Sequence, residues 1–146
     1  MIIDTTYLLP LARIRIKADL LKAIAENKLK IKIDFDDLKV SLISLFELQA
    51  KASKLNIPPK YVSKAIDVIL KTFNVVPFYQ DKIVDKAHEL HKVIDDYIDC
   101  IIVATAVVLK EDLATEDKII LSIKDFIEKK YDIKVVKYED IALPEP

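Results

Sequence analysis

Glycine and tryptophan are absent from the 146 residues of this chain, and cysteine and methionine occur once each. Without glycine, the chain cannot build the glycine-rich loops with which many nucleotide-binding proteins hold phosphate groups. The lack of glycine also lowers the conformational entropy of the unfolded chain. Combined with abundant lysine and glutamate, this composition favours a thermophilic source.

The single cysteine, Cys100, excludes an internal disulfide framework and suggests a reducing, cytosolic setting. Its apolar surroundings in the sequence predict a buried, unreactive thiol. The longest apolar run, residues 100–109, is about half as long as a membrane-spanning helix, and no basic leader precedes the first apolar residues. We therefore expect a soluble cytoplasmic protein without a membrane partner.

The balance of apolar and charged residues predicts one folded domain over residues 1–146. Hydrophobic residues make up 52% of the chain and charged residues 32%, which is typical of a dense core under an ionised surface. Residues 143–146 are expected to form a frayed tail. Because the formal net charge is −1, any contact with nucleic acid must come from a local lysine patch.

Apolar segments alternate along the chain between strand-like and helix-like patterns. The strand-like segments are 1–3, 38–43, 75–78, 113–115 and 133–136. Helical spacing or length predicts helices over 18–27, 59–73, 81–94, 101–109 and 118–130. A further helix is predicted to be capped by Ser44 and to run to residue 55. Strands that alternate with helices predict an α/β fold, a three-layer sandwich with a parallel sheet of four or five strands.

Acidic residues follow these strands at positions that an α/β fold brings together. Asp4 follows the first strand, Glu47 the second and Asp117 the fourth, while Asp99 opens the buried helix. The carboxyl ends of parallel strands share one edge, so we expect these side chains to converge. Two carboxylates about 4 Å apart repel by roughly 4 kcal/mol at an effective dielectric of about 20. A divalent cation removes this conflict.

The chemistry of these residues selects among metals. All-oxygen anionic ligands suit Mg²⁺ or Mn²⁺, whereas zinc favours His and Cys ligands that this set lacks. Taken singly, each acid is also explained as a helix cap that interacts with the helix dipole. Glu47 is the exception, because it lies about one turn inside its helix.

Four segments together resemble the motifs of PIN-domain nucleases, in the same order. They are Ile-Ile-Asp-Thr-Thr at 2–6, Ser-Leu-Phe-Glu-Leu at 44–48, Asp-Cys-Ile-Ile-Val-Ala-Thr-Ala at 99–106, and Leu-Ala-Thr-Glu-Asp at 113–117. The likeness covers nearly the whole chain, and the third segment is the most specific.

This resemblance implies a function as well as a fold. It implies a metal-dependent endoribonuclease in which Asp4, Glu47, Asp99 and Asp117 bind Mg²⁺ or Mn²⁺ and act in catalysis. Thr6 and Thr115 would be supporting hydroxyls that hold carboxylates in place. It further implies RNA as substrate, products with a 3′-hydroxyl and a 5′-phosphate, and a dimeric toxin of the VapBC type that a small antitoxin neutralises.

The chain departs from the family pattern in two places. Many members have a further acid two positions after the last aspartate, where this chain has Ile119, so we expect weaker metal binding. The stretch between the first two motifs is also longer than in compact toxins, with residues 18–33 as extra length. This difference predicts a change in the choice of substrate or partner.

Other patterns leave alternatives open. His88 and His91 lie three residues apart, but the zinc-protease pattern requires a spacing of four. Lys51 and Lys54 follow Glu47 at about one and two turns and are placed either to contact a phosphate backbone or to lie on a solvated face. No Ser/His/Asp triad or Cys/His pair can be assembled. The rival functions are a PIN nuclease of RNA processing or ribosome maturation, and a non-catalytic α/β binding module.

Overall fold

Short parallel strands form the centre of the structure, a computed structural model that describes residues 1–145. Within these residues the five strands are β1 (Ile2–Ile3), β2 (Lys39–Ser41), β3 (Asn74–Val76), β4 (Leu113–Ala114) and β5 (Val135–Val136). They pair in the order β3-β2-β1-β4-β5, and every pairing is parallel. The α/β class and the parallel sheet predicted from the sequence are confirmed.

Helices connect the strands and cover the sheet. The α-helices of the described chain are α1 (Leu20–Ala25), α2 (Ile43–Lys54), α3 (Pro59–Thr72), α4 (Asp81–Leu90), α5 (Tyr97–Leu109), α6 (Lys118–Ser122), α7 (Lys124–Tyr131) and α8 (Tyr138–Ile141). A 3₁₀ helix over Thr5–Ala12 follows β1, and a short one over Phe35–Asp37 precedes β2.

The core has two halves, one on each face of the sheet. Successive residues of β1 point to opposite faces, so Ile2 packs in one half and Ile3 in the other. Buried residues of α4, α5 and α7 fill the first half. The Thr5–Ala12 helix, α1 and α3 fill the second half. The fold is therefore a three-layer α/β/α sandwich with β1 at its centre.

A chain without glycine must end its helices with other residues. Within residues 1–145, five non-glycine residues have a positive φ between 52° and 64°: Arg13, Asn27, Asn56, Lys110 and Asp132. Lys110 and Asp132 directly end α5 and α7. A side chain in this left-handed region costs about 1 to 2 kcal/mol, so the surrounding packing must hold these turns in place.

Two local predictions were wrong. The helix predicted over 118–130 is divided into α6 and α7 at Ile123, whose N–H donates to Ile120 three residues back and closes the first helix with a tight turn. Ser44 does not cap α2, which begins one residue earlier. The hydroxyl of Ser41 accepts from the Ile43 N–H at 3.3 Å instead, while buried Ser44 accepts from the Thr5 hydroxyl at 3.0 Å.

The C-terminal segment contacts the long connection before β2. The Leu143 N–H donates to the carbonyl of Lys28 at 2.8 Å, and Ala142 forms an antiparallel bridge with Leu29. Of the tail predicted over 143–146, Pro146 lies outside the described residues. None of the helices in residues 1–145 combines the length and the apolar character needed to cross a membrane.

Candidate functional site

The acidic residues singled out in the sequence line one cleft at the carboxyl edge of the sheet. Asp4 directly follows the central strand β1, and Asp117 caps α6 after β4. Asp99 lies in the first turn of α5, and Glu47 lies in the second turn of α2. The cleft has a volume of about 380 Å³. Its lining residues are Asp4, Thr6, Glu47, Lys51, Asp99, Glu116, Asp117, Lys118 and Ile119.

Asp4 is held in a fixed orientation at the floor of this cleft. Its side chain is 5% exposed, and its two oxygens accept from the Thr5 N–H and from the Thr115 hydroxyl, each at 2.6 Å. Burial raises the pKa of Asp4 to about 6, although the hydrogen bond from Thr115 acts in the opposite direction. The position of this carboxylate is thus fixed before any ligand arrives.

Asp99 has no such hydrogen bonds. It is 8% exposed, and within residues 1–145 no donor reaches its carboxylate. Burial, followed by the negative charges of Asp117, Asp96, Asp4 and Glu47, raises the pKa of Asp99 to about 7. A buried carboxylate among other carboxylates lacks a counter-charge, which is what a bound cation would provide.

Thr115 connects Asp4 with Asp117. Its hydroxyl donates to Asp4 and accepts from the Asp117 N–H at 3.0 Å, so one buried side chain sets the positions of both acids. Asp117 in turn accepts from the Ile120 N–H at 2.9 Å and begins α6. Thr6, the other hydroxyl predicted to support the site, lies half-buried in the lining of the cleft.

This geometry makes the positioning role of Thr115 testable. Thr115→Val keeps the shape but removes the hydroxyl, so Asp4 and Asp117 lose their shared partner. We expect a tenfold to hundredfold loss of the nucleolytic activity proposed below, roughly the cost of deleting such a supporting hydrogen bond, and a loss of about 1 to 3 kcal/mol in the free energy of unfolding.

Thr115→Ser is the matched control, since it keeps both hydrogen bonds and should retain activity. Cleavage rates and thermal melts of the two variants provide the comparison. Equal activity of the valine and serine variants would show that Thr115 has no positioning role.

Two residues of the cleft were missed in the sequence. Glu116 lies between Thr115 and Asp117, and its Oε2 accepts from the hydroxyl of buried Tyr7 at 2.5 Å and from the Tyr138 N–H at 2.9 Å. Lys118 follows Asp117 on the same wall. Their place in the turn after β4, next to predicted site residues, was the signal that could have identified them.

The structure distinguishes between the two lysines of α2. Lys51 is half-buried and lines the cleft, and its positive charge lowers the pKa of Asp4 against the larger effect of burial. Lys54 is exposed and lies outside the lining. Of the pair, only Lys51 is therefore placed beside the carboxylates.

The two histidines lie away from this cleft. His88 and His91 contact the ring of Tyr97 edge-on, with centroid distances of 5.6 and 5.3 Å. They form no metal site with neighbouring residues in the described chain. Ile119, where many PIN proteins have another acid, is 57% exposed at the rim of the cleft.

The donor set fits a hard divalent cation in its chemistry. In residues 1–145, no three His, Cys, Asp or Glu side chains are placed to hold one metal ion between them. Mg²⁺, however, keeps several of its waters and uses only one or two protein carboxylates together with substrate phosphates. The unpartnered carboxylate of Asp99, beside the fixed carboxylate of Asp4, is compatible with that mode of binding.

Comparisons with known proteins agree with the fold. The sequence model of the PIN domain matches residues 1–126. No curated protein matches the sequence. Several solved structures align over nearly the whole chain, at identities that establish similarity of fold alone.

Three of these structures illustrate the likeness. A toxin-antitoxin complex from Klebsiella pneumoniae has 22% identity and a TM-score of 0.59, with 94% of this chain and 96% of that chain covered. VapBC2 from Rickettsia felis, bound to a DNA fragment from its promoter, has 19% identity and a TM-score of 0.60, with 93% and 96% covered. FitAcB from Neisseria gonorrhoeae has 16% identity and a TM-score of 0.63, with 94% and 97% covered.

Proposed function

The chain belongs to the PIN domain family, and from this we propose that it is a metal-dependent endoribonuclease of the toxin type. PIN domains are nucleases, so hydrolysis of a phosphodiester bond is the reaction that the family membership supports. RNA as the substrate and a divalent cation as the cofactor are the further steps of the proposal.

One observation carries the proposal: the carboxylate of Asp99 accepts no hydrogen bond within residues 1–145 and faces a cleft that Asp4, Glu47 and Asp117 also line. A structural role would supply a hydrogen-bond donor or a cationic side chain to such a group. Within residues 1–145, no donor bonds to the Asp99 carboxylate and no cationic side chain forms an ion pair with it, although Lys51 and Lys118 line the same cleft. Function therefore accounts better than stability for a buried negative charge at this place.

The side chains have distinct roles in this proposal. Asp4, Glu47, Asp99 and Asp117 bind Mg²⁺ or Mn²⁺, directly or through water, and Thr115 holds Asp4 in the required orientation. A bound ion would supply charge neutralisation at the scissile phosphate and would lower the pKa of the attacking water. Lys51 contacts a phosphate beside the cleft, and Thr6 supports the carboxylates. The products would be a 3′-hydroxyl and a 5′-phosphate.

Similarity to several toxin components suggests the biological role. The solved relatives are described as toxin-antitoxin complexes or VapBC proteins. We propose that this chain is likewise a VapC-like toxin, that it forms a homodimer, and that a small antitoxin protein covers its cleft. A short reading frame directly upstream of the gene would support this role over one in RNA processing.

Cleavage of RNA with and without metal tests the function. Purified protein should cut labelled RNA in the presence of Mn²⁺ or Mg²⁺ and should lose this activity in EDTA. End-group analysis should find a 5′-phosphate on the downstream product. Cleavage that is unaffected by EDTA would refute the metal-dependent mechanism. Cleavage of DNA but not of RNA would refute the proposal that RNA is the substrate.

A further inference from the structure

Positive charge is concentrated in the connection between the first two motifs. Residues 13–32 contain seven basic and two acidic residues, a formal charge of +5, whereas the whole chain carries −1. We call residues 13–32 the basic extension. Its two ends read Arg-Ile-Arg-Ile-Lys (13–17) and Lys-Leu-Lys-Ile-Lys (28–32), so that every second residue is cationic.

This alternation separates the cations from the apolar side chains. Ile14, Ile16 and Leu29 pack against the core half that contains β1 residue Ile3. All the arginines and lysines of the basic extension are exposed. The second end is also fixed to the C-terminal segment, because the Lys30 N–H donates to the Ile141 carbonyl at 2.7 Å. The structure thus holds the two cationic ends of the basic extension in defined places.

The basic extension lies next to the acidic cleft. Lys17 and Lys30 line a second cavity of about 580 Å³, together with Tyr138 and Glu116. Glu116 also lines the acidic cleft, so the two cavities are neighbours on either side of this residue. A strand bound across the acidic cleft can therefore continue past Glu116 to Lys17 and Lys30.

Most of these cations are not neutralised by the protein. In the described chain, Arg15, Lys17, Lys22 and Lys32 form no ion pair, and Lys28 pairs only with exposed Glu26 at 3.6 Å. The acids of the second cavity are already engaged. Glu116 accepts two hydrogen bonds, and Glu139 pairs with Lys137 at 3.4 Å.

We propose that the basic extension binds the phosphate backbone of an RNA strand whose scissile bond lies in the acidic cleft, with Lys17 and Lys30 contacting phosphates on the Glu116 side. This inference rests on the proposed function and adds the path of the substrate. The exposed cations alternate along the two ends of the basic extension, which come together where Lys17 and Lys30 line one cavity. Such a cluster of cations matches a polyanion with regularly spaced charges. Because the cavity lined by Lys17 and Lys30 adjoins the acidic cleft, RNA is a better match for the basic extension than an acidic protein segment.

Binding of RNA without cleavage tests the path. The double variant Lys17→Glu and Lys30→Glu should bind a labelled single strand of about 20 nucleotides at least about tenfold more weakly than the wild type, measured by fluorescence anisotropy in EDTA. The slope of log K against log salt should fall in magnitude by about 0.7 for each lost phosphate contact, or about 1.4 in total.

A second double variant controls for net charge. Lys82→Glu in α4 and Lys92→Glu just after it change the charge by the same amount, and α4 covers the opposite face of the sheet. This control should bind RNA nearly as the wild type does. Equal affinities of the two double variants would overturn the proposed path, and equal affinity of the first variant and wild type would leave an acidic protein partner as the better match.

Activity separates this proposal from the proposed function. With Mn²⁺, the Lys17→Glu and Lys30→Glu variant should show a raised KM and a nearly unchanged kcat on the long RNA, because its cleft is intact. A wild type that binds the strand but never cuts it would refute the nuclease and leave the binding path standing. A normal KM in the variant would refute the path and leave the nuclease standing.

Discussion

Asp99→Asn is expected to lower the rate of metal-dependent RNA cleavage at least about a hundredfold, or by about 2.7 kcal/mol of transition-state stabilisation, without unfolding the chain. The substitution removes one negative charge from the cleft, which weakens the binding of the ion and the activation of water together. Because no described donor bonds to the Asp99 carboxylate, the amide disrupts no hydrogen bond of the wild type.

Asp4→Asn should lose activity to a similar extent but is a less clean variant. The Asp4 carboxylate accepts one hydrogen bond on each oxygen, and an asparagine side chain has only one acceptor oxygen, so one of the two bonds is lost. Asp95→Asn is the matched control, since it removes the same charge from an exposed position four residues before Asp99. Full activity in Asp99→Asn, with circular dichroism showing a folded protein, would refute the assigned site.

Mn²⁺ is expected to stabilise the wild-type protein by about 2.7 kcal/mol at a hundredfold excess over its Kd, because the ion binds only the folded state. The position of Ile119, where a further acid is missing, predicts that millimolar concentrations are needed. Asp99→Asn should show a much smaller increase in melting temperature. An unchanged melting temperature of the wild type at tens of millimolar Mn²⁺, confirmed by calorimetry, would favour a non-catalytic binding module.

The apo protein offers a second readout of the same cluster. Since folding raises the pKa of Asp99 to about 7, the folded chain keeps this proton between about pH 4 and pH 7 while the unfolded chain releases it. The free energy of unfolding therefore falls as the pH rises through this range. In EDTA, Asp99→Asn should exceed the wild type in stability by about 4 kcal/mol at about pH 8, and by little at about pH 4.

The sheet was predictable from sequence because its signals are local. β1 is a short apolar segment followed by an acid, and α5 is an apolar run capped by Asp96. Parallel pairing then follows from the alternation of strands and helices. The division at Ile123 was not predictable in this way, since apolar spacing continues across it and the break is a single backbone turn.

The cleft was predictable in part for a similar reason. Asp4, Glu47, Asp99 and Asp117 follow strands or open helices, and topology alone brings such positions to one edge. Their role as metal ligands remains a prediction. Glu116 needed the tertiary structure, because its partners Tyr7 and Tyr138 are more than twenty residues away in sequence. The basic extension was visible in sequence as alternating cations, but only the second cavity connects it with the cleft.

The most direct test of the central claim is anomalous diffraction from a crystal of this protein soaked in Mn²⁺. The account predicts an anomalous peak in the cleft, beside the carboxylates of Asp99 and Asp4, and its loss in Asp99→Asn. A cleft without a peak at millimolar Mn²⁺, in crystals whose cleft is open to solvent, would contradict the claim that these carboxylates hold the catalytic ion.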